Sequence, residues 1–369
     1  MKVENQCLAA ALAAFPYEGK ITALEPFGSG HINDTYAVYV EGYPAPRIGY
    51  ILQRLNTNVF KQPGAVMQNI MGVTEYLKTA LEREQRDTSR GTLHFLKTAD
   101  DQPAFYDQQG MPWRSYVFIE NSFCYDKSPT VEVFYQSACA FGDFLRLLEG
   151  YPAETLHETI PYFHDTRRRL EALQQAAAQN IAGRAANCQP EIDFAMNRAE
   201  DCALLMNMLE AGELPLRVTH NDTKLNNVLF DKTTGEALCV IDLDTIMPGL
   251  SLNDYGDSIR FGATEAAEDE PDLTKVTLSL PLYEAYTKGF LQTAGPALTP
   301  TEKDMLPQGA RIITLECGIR FLTDYLNGDV YFKTERPGQN LDRCRTQFKL
   351  VSDMEANFAQ MQQIVKKYV

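Results

Sequence analysis

The chain has 369 residues, of which 44% are hydrophobic and 22% are charged, and its formal net charge is −15. This composition is ordinary for a folded globular protein, and it excludes a disordered chain, a collagen-like fibre and a small disulfide-rich scaffold. The negative charge repels nucleic acid and anionic membranes, so neither is expected as a partner. It does not exclude an anionic substrate, because a local site can invert the global field.

The cysteines and the N-terminus bear on where the protein acts. The eight cysteines form no C-x-x-C pair, and several lie inside apolar runs. That pattern is typical of reduced, mostly buried thiols in a cytoplasmic protein. Glu4 precedes the first apolar stretch, and no cationic segment with a cleavage site accompanies it, so we expect an ordinary helix and no signal peptide. No run of about 18 apolar residues is present, and we expect no membrane-spanning helix.

The first 120 residues are rich in predicted strands. Apolar and polar residues alternate on both sides of a Gly-rich link, GSGHIND. One helix is predicted after the third strand, because apolar residues recur there at helical spacing. The strands are expected at Ile21–Phe27, Thr35–Val40, Ile48–Leu55, His94–Thr98 and Arg114–Ile119, and the helix at Gly64–Arg83.

From residue 121 onward the pattern becomes helical, with one short β segment at Leu216–Asp244. We therefore predict an α+β protein with two lobes. A small β-rich N-lobe occupies residues 1–120, and a large, mainly α-helical C-lobe with one hairpin occupies residues 121–369. Helices of the C-lobe are expected at 131–150, 166–183, 190–212, 253–262, 272–293, 302–327 and 342–367.

The β segment of the C-lobe carries the most informative motif. His220, Asp222 and Asn227 follow the spacing H-x-D-x4-N directly before a predicted strand, and Asp242 ends the next one. Gly235 in the turn between the strands supplies a residue for a positive φ. A two- or four-residue loop at this point would place Asn227 directly opposite Asp242, with Cβ atoms roughly 4.5–5.5 Å apart.

An amide oxygen and a carboxylate at that spacing can share a divalent cation. Mg²⁺ takes oxygen ligands and keeps nucleotide phosphates in its shell, so we predict Asn227 and Asp242 as metal ligands. Asp222 is predicted to accept a proton from, or to orient, an attacking hydroxyl, as in phosphoryl transfer by kinases. His220 and Asp254 are predicted to support this catalytic loop by hydrogen bonds. Turns and helix caps are the alternative explanation for these residues.

The N-lobe contains candidate ATP-binding residues. Gly28 and Gly30 allow bare backbone to approach phosphates, with a plain hairpin turn as the alternative. The third strand has Gln53 in the region where protein kinases use a lysine, which leaves the charge partner of the phosphates open. Phe118 and Glu120 lie in YVFIEN, a candidate hinge strand whose backbone would bind adenine; a plain strand is the alternative.

These motifs resemble those of the aminoglycoside phosphotransferase and choline kinase superfamily. The similarity lies in His220-Asn221-Asp222-x4-Asn227 followed by IDLD, and in the GxxNxxY pattern of residues 30–36. Longer strings resemble the N-acetylhexosamine 1-kinases within that superfamily. They span almost the whole chain and are FGSGHINDTY, CQPEIDF, RVTHNDTKLNNVLFD, VIDLDTIMPG, YGDSIRFGA and ECGIRFLTDYLNGDVYF.

The resemblance implies a bilobal protein-kinase-like fold and a reaction. The γ-phosphoryl group of ATP would pass, with Mg²⁺ as cofactor, to the anomeric hydroxyl of N-acetylglucosamine or N-acetylgalactosamine, giving the α-1-phosphate. Asp222 falls on the catalytic Asp of the superfamily, and Asn227 and Asp242 fall on its metal ligands. The acetamido-sugar pocket that the resemblance implies is formed by His31, Phe261, Arg320 and Tyr331.

Two other functions stay open at this point. One is another small-molecule kinase of the superfamily, with choline, homoserine, methylthioribose or an aminoglycoside as acceptor. The other is a nucleotide-binding pseudokinase, which the missing strand-three lysine favours. Arg320 has a structural alternative too, an ion pair with Asp324 one turn later, and the alternative for Tyr331 is an ordinary core or surface aromatic. The expected partners are small molecules, and the default is a monomer.

Overall fold

The computed structural model describes residues 3–28, 32–42 and 44–369, with side chains from Gln6 onward. The chain forms two compact units. The first unit adds two later segments to the predicted N-lobe: it comprises Met1–Phe123, Gly150–Ile160 and Leu229–Met247. The second unit comprises Cys124–Glu149, Pro161–Val228 and Pro248–Val369.

The first unit is built on an antiparallel sheet. Its strand order is β1-β2-β3-β6-β4, and β5 also pairs with β6. The strands are β1 (Ile21–Pro26), β2 (Asp34–Val40), β3 (Arg47–Arg54), β4 (Phe95–Leu96), β5 (Phe105–Tyr106), β6 (Pro112–Val117) and β7 (Ser122–Phe123). The helices are α1 (Val3–Ala13), α2 (Pro63–Arg83) and α3 (Thr88–Gly91).

Alternation along the strands decides which face of this sheet is buried. Val38 and Val40 on β2 and Leu52 on β3 are buried and pack with Trp113 of β6 against Phe15, which follows α1. Side chains two residues apart on a strand point to the same face, so this alternation gives the sheet one apolar side. The predicted strands and the predicted helix at 64–83 are confirmed to within a few residues.

A second, small sheet of the first unit contains the predicted hairpin. Strand β9 (Val228–Asp231) lies between β10 (Ala237–Val240) and β7. The N–H of Asp231 donates to the carbonyl oxygen of Glu236, and the N–H of Gly235 donates to that of Asp231, each at 2.9 Å. Gly235 takes the expected positive φ, 74°.

This closure shifts the strand pairing by two residues from the predicted register, so the predicted register was wrong. The Asp231 carboxylate accepts the N–H groups of Thr233 and Thr234 at 2.6 and 2.9 Å. Because its side chain binds these N–H groups, Asp231 is the first residue of the turn, and the turn begins earlier than one centred on Gly235 would. Neither Asn227 nor Asp242 belongs to a strand.

The second unit is mainly helical. Helix α4 packs on α9, and the long helix α10 packs against α5, α8 and α11. Its elements are α4 (Val131–Leu147), α5 (Thr166–Gln179), α6 (Gln189–Met196), α7 (Ala199–Glu210), β8 (Arg217–Thr219), α8 (Ser251–Gly262), α9 (Leu280–Ala294), α10 (Pro300–Leu326), α11 (Gln339–Ala356) and α12 (Phe358–Tyr368), and β8 pairs with β11 (Met247–Gly249).

The core of the second unit is aromatic. Tyr255 of α8 and Tyr286 and Phe290 of α9 are fully buried in one cluster. The hydroxyls of the tyrosines are satisfied, because Tyr255 bonds to Thr287 at 2.7 Å and Tyr286 donates to Ser258 at 2.6 Å. Buried tyrosines of this kind contribute apolar area without an unsatisfied polar group.

Three predicted helices of the second unit differ from the observed ones. The helix predicted at 190–212 is broken between α6 and α7 at Arg198, and that at 342–367 is broken at Asn357; both residues have non-helical backbones. The helix predicted at 272–293 begins only at Leu280, after Ser279 caps it. Apolar periodicity continues across a short break when both helices bury the same face, so it did not reveal these breaks.

The predicted α+β class is confirmed. No helix among the described residues has the length and apolar character needed to cross a bilayer. The cysteines are free thiols, and all except Cys124 and Cys139 are buried. Burial raises the pKa of the Cys202 thiol to about 12, which keeps it protonated and unreactive near neutral pH.

Candidate active site

A buried carboxylate fixes the backbone of the predicted catalytic loop, residues 220–227. The two oxygens of Asp254 on α8 accept the N–H groups of His220 and Asn221, each at 2.8 Å. The Thr223 hydroxyl donates to the carbonyl oxygen of Asp254 at 2.6 Å. Burial raises the pKa of Asp254 above its ordinary value, against the effect of these donors. Asp254 therefore lies where the sequence placed a support for this loop.

The imidazole of His220 is enclosed in the second unit and helps to shape the loop. Its side chain is fully buried, with the ring centre 5.6 Å from that of Phe141 and 6.0 Å from that of Phe144. The Nδ1 atom accepts the N–H of Asp222 at 3.3 Å. This position suits a structural support and does not present the ring to a substrate.

The Asp222 carboxylate has two polar neighbours on its own loop. Lys224 Nζ lies 2.7 Å from Oδ1, and Asn227 Nδ2 donates to Oδ2 at 3.2 Å and to the Asp222 carbonyl oxygen at 2.8 Å. Burial lowers the pKa of Lys224, but the Asp222 carboxylate outweighs it, and the net pKa is raised. The loop therefore keeps Asp222 next to a positive charge.

The amide nitrogen of Asn227 is used within its own loop. Because the nitrogen donates to Asp222, the amide oxygen is the atom with acceptor capacity for a cation. The other predicted ligand, Asp242, directly follows β10 and has a left-handed backbone with φ 59°. Such a conformation is uncommon for a residue other than glycine and often marks a functional site.

Each of the two predicted ligands carries an oxygen of the kind that Mg²⁺ takes. No group of three or more His, Cys, Asp or Glu side chains in the described parts of the chain is arranged to hold a metal. Mg²⁺ does not require one, since it binds through one or two protein oxygens and takes water and nucleotide phosphates as its other ligands. The amide of Asn227 and the carboxylate of Asp242 are each suitable in this chemical sense.

Asp244, which follows Asp242 by two residues, is engaged by other side chains of the first unit. Arg114 donates through Nη1 to Asp244 Oδ1, and Asn33 donates to Oδ2 at 2.7 Å. Arg114 also donates through Nε to Gln53 Oε1 at 2.9 Å. Sequence reasoning missed Arg114. The signal was present in the antiparallel register, in which Arg114 stands directly opposite Gln53.

The other predicted ATP-binding residues lie in the first unit. Gly28 has φ 78°, and the space around a side chain there is open. Gly30 lies outside the described residues. Phe118 is half-buried, its N–H donates to Gly49 at 2.9 Å, and its ring contacts that of Phe27 at 5.8 Å. Glu120 is exposed and forms an ion pair with Arg47.

Arg320 does not use the structural partner that the sequence offered. Asp324 instead accepts the N–H groups of Val330 and Tyr331 at 2.9 and 2.8 Å and that of Phe332 at 3.0 Å. The Arg320 guanidinium lies over the ring of Phe332 at 5.5 Å and over that of Phe163 at 5.2 Å. Among the described residues no carboxylate lies within ion-pair distance of it. The alternative of an Arg320–Asp324 pair is therefore wrong.

The loop that carries Tyr331 is fixed in its backbone and open at its side chain. Asp324 holds it through three N–H groups, whereas the Tyr331 side chain is 63% exposed. Its ring packs on that of Phe332 at 4.8 Å. Of the two other pocket candidates, Phe261 is half-buried near the end of α8, and His31 lies outside the described residues.

A buried ionic cluster adjoins Arg320, and the sequence did not reveal it. His164 Nδ1 lies 2.8 Å from Glu316, whose other oxygen accepts the Thr166 hydroxyl at 2.7 Å. Burial opposes the charge of Glu316, but His164, Arg320 and Arg169 hold its pKa below the ordinary value. The neighbouring Asp165 caps α5.

Comparisons with known proteins give both a family and a fold. A sequence model described as the phosphotransferase enzyme family (APH) matches residues 23–288, which is more than half of the chain. An aminoglycoside phosphotransferase from Alicyclobacillus acidocaldarius has a similar structure, with a TM-score of 0.61 and 14% sequence identity, over 97% of this chain and 96% of that one.

Two further solved structures agree. A microcompartment-associated aminopropanol kinase matches with a TM-score of 0.57 and 14% identity, over 97% of this chain and 98% of that chain. A choline/ethanolamine kinase family protein from Mesorhizobium loti matches with a TM-score of 0.56 and 15% identity, over 98% and 99%. These likenesses confirm the predicted bilobal, protein-kinase-like fold.

Proposed function

The chain belongs to the phosphotransferase enzyme family, and from that premise we propose that this small-molecule phosphotransferase acts on N-acetylhexosamines. The γ-phosphoryl group of MgATP passes to the anomeric hydroxyl of N-acetylglucosamine or N-acetylgalactosamine, and the product is the α-1-phosphate. The enzyme acts in the cytoplasm as a monomer. The resemblance of the longer sequence strings to N-acetylhexosamine 1-kinases supports the choice of acceptor.

The observation that carries the acceptor class is the Arg320 guanidinium. It lies against the rings of Phe163 and Phe332 and lowers the pKa of the buried Glu316, while Asp324 is used by the backbone of residues 330–332. A half-buried Arg held in this way has donors for a ligand. A neutral acetamido sugar offers a carbonyl and several hydroxyl oxygens to those donors.

The charge around Arg320 argues against a cationic acceptor. Arg320 and Arg169 both lower the pKa of the buried Glu316. Burial and the charge of Arg320 lower the pKa of Arg169, against the carboxylates of Glu316 and Asp165. The Arg320 guanidinium would repel a cationic acceptor bound next to it. Choline and aminoglycosides call for an acidic cleft or an aromatic cage instead.

The catalytic step is assigned to Asp222. The sugar hydroxyl donates to the Asp222 carboxylate, its oxygen attacks the γ-phosphorus, and the bond from that phosphorus to the ADP oxygen breaks. The proton of the hydroxyl is then held by Asp222 until it passes to solvent. Lys224 keeps the carboxylate oriented at 2.7 Å, and Asp254 keeps the loop that carries both in place. Catalysis of this kind depends on positioning and charge stabilisation.

Asn227 and Asp242 would hold Mg²⁺. The cation supplies charge neutralisation for the phosphates when it is bound. On the nucleotide side we assign the nucleotide contacts to Gly28, Gly30, Gln53, Phe118 and Glu120. On the acceptor side we assign His31, Phe261, Arg320 and Tyr331 to the sugar pocket.

The test is ADP release from MgATP with a panel of acceptors: the two N-acetylhexosamines, galactose, choline, homoserine and kanamycin. We expect turnover with the N-acetylhexosamines and a 1-phosphate signal of the product in ³¹P NMR. Turnover with choline, homoserine or kanamycin alone would refute the sugar pocket and keep the catalytic loop. Bound ATP without turnover on any acceptor would favour a pseudokinase.

A further inference from the structure

The carboxylate of Asp244 is held by two side chains of the first unit. Arg114 donates to one oxygen and Asn33 donates to the other at 2.7 Å. The side chains of Arg114 and Asp244 are only 3% and 4% exposed. A donor on each oxygen fixes the direction of the carboxylate, so the second aspartate of the IDLD motif is firmly positioned.

Arg114 is built into the sheet next to the position where the third strand lacks a lysine. Strands β3 and β6 are antiparallel, with Gln53 directly opposite Arg114, and directly opposed side chains share one face. Gln53 accepts from Arg114 Nε at 2.9 Å and donates to the Thr35 hydroxyl at 3.0 Å. Gln53 thus fixes the guanidinium plane, and the positive charge comes from the neighbouring strand.

The backbone on the other side of Asp244 is fastened as well. Asn69 of α2 donates to the carbonyl oxygen of Ile246 at 2.9 Å. Asn33 accepts the N–H of Asn56 at 3.0 Å while it donates to Asp244. Asp242 lies two residues before Asp244, at the start of the turn Leu243–Thr245. The loop that carries the proposed metal ligand is thus attached to the sheet through Asp244.

We propose that Arg114 is a positioning residue: it holds Asp244, and through Asp244 it sets the position of Asp242 for MgATP. A bidentate-capable guanidinium in a buried site fixes a carboxylate in direction as well as distance. Groups that orient a metal ligand typically change metal affinity when they are removed. This inference rests on the proposed function, because it takes Asp242 as a ligand of the nucleotide-bound metal.

The experiment compares nucleotide binding with and without metal. Calorimetry on the full-length protein gives Kd for MgATP and for ATP in EDTA, with no acceptor present, for the wild type, Arg114→Met, Arg114→Lys, Asp244→Asn and the double variant Arg114→Met/Asp244→Asn. We expect Arg114→Met and Asp244→Asn to weaken MgATP binding by about 10- to 100-fold and to leave metal-free ATP binding nearly unchanged. Arg114→Lys keeps the charge but loses the planar guanidinium, so its Kd for MgATP should lie between those of the wild type and Arg114→Met.

The double variant separates positioning from stability. Each single change leaves one buried charge without its partner, so each should lower the thermal midpoint, and the double variant should recover part of that loss. If Arg114 positions the metal loop, MgATP binding stays weak in the double variant although stability returns. If MgATP affinity recovers together with the thermal midpoint, the role is structural only and the proposal is refuted.

A matched control is the ion pair of Arg217 and Glu302 in the second unit. Its atoms lie 2.6 Å apart, with side chains 12% and 2% exposed. Arg217→Met should lower the thermal midpoint and keep the wild-type ratio of the two Kd values. A wild-type protein whose ATP binding does not respond to Mg²⁺ would overturn the proposed metal site and this inference with it. If the wild type binds ATP more tightly with Mg²⁺, and Arg114→Met and Asp244→Asn have the wild-type Kd for MgATP, the inference alone is overturned.

Discussion

Replacing Arg320 by methionine tests the acceptor site most directly. Methionine keeps an unbranched apolar stem and removes the charge and the donors. A hydrogen bond from a charged group is worth about 1.5–3 kcal/mol, and about 1.4 kcal/mol corresponds to a factor of ten. KM for the N-acetylhexosamine should therefore rise by about 10- to 100-fold, and KM for MgATP should change little.

The effect of this substitution on folding should be small. The contacts that the structure gives the guanidinium are with the rings of Phe163 and Phe332, at 5.2 and 5.5 Å. Two cation–π contacts at a partly exposed site amount to about 1–2 kcal/mol. Urea unfolding should show a loss of that order, to which the lost attraction between Arg320 and the buried Glu316 adds. A buried arginine in an ion pair would show a larger loss, because its partner would be left charged and unpaired.

The two KM values come from initial rates. The sugar is varied at saturating MgATP, and MgATP is then varied at saturating sugar. Arg198→Met is the control, since Arg198 lies over the Phe194 ring at 3.5 Å and pairs with Glu355 at 2.7 Å. It should lose at least as much stability and keep both KM values. Equal increases of the two KM values in Arg320→Met, or an unchanged sugar KM, would refute the acceptor role.

The remaining predictions concern three carboxylates. Asp222→Asn should abolish turnover and leave sugar binding by calorimetry largely intact; retention of most activity would contradict its role as the proton acceptor. Asp324→Ala removes the acceptor of three N–H groups of the Tyr331 loop. Hydrogen exchange over residues 330–332 should therefore accelerate, and the sugar KM should rise. An unchanged exchange rate would contradict this prediction. For Asp231, the N–H of Thr234, the Arg90 guanidinium and the N–H of Thr233 lower the pKa from 3.8 to about 2. Because the folded pKa is the lower one, the stabilisation is present above pH 3.8 and is lost as the pH falls toward 2. The stability difference between wild type and Asp231→Asn, from urea unfolding, should therefore shrink across that interval, and a constant difference would refute the assignment.

The acidity of the chain does not conflict with a nucleotide substrate. The net charge is −15, but cations stand beside carboxylates to which we assign a part in the reaction. Lys224 adjoins Asp222, and Arg114 adjoins Asp244. Charges at contact distance outweigh a diffuse surface charge that salt screens within about 10 Å.

The sequence by itself determined the local features of this protein. Alternation and helical spacing located most strands and helices, because these periodicities belong to the backbone of each element. The H-x-D-x4-N spacing and the IDLD motif indicated the catalytic and metal loops, since neighbouring residues in a short loop share one site. The pairing of the two hairpin strands differs by two residues from the predicted register, which shows the limit of this reasoning. The hydrogen bonds of the Asp231 side chain, and not the glycine alone, determine the turn.

Only the tertiary structure decided which groups hold these loops. Arg114 and Asp244 are 130 positions apart in the chain, and His164 and Glu316 are 152 apart. Arg320 had a partner available one turn away, Asp324, but that carboxylate is used by the backbone of the following loop. No sequence periodicity encodes such pairs. They follow from the strand register and helix packing that bury each charge, and a buried charge takes the partner that the surrounding fold brings to it.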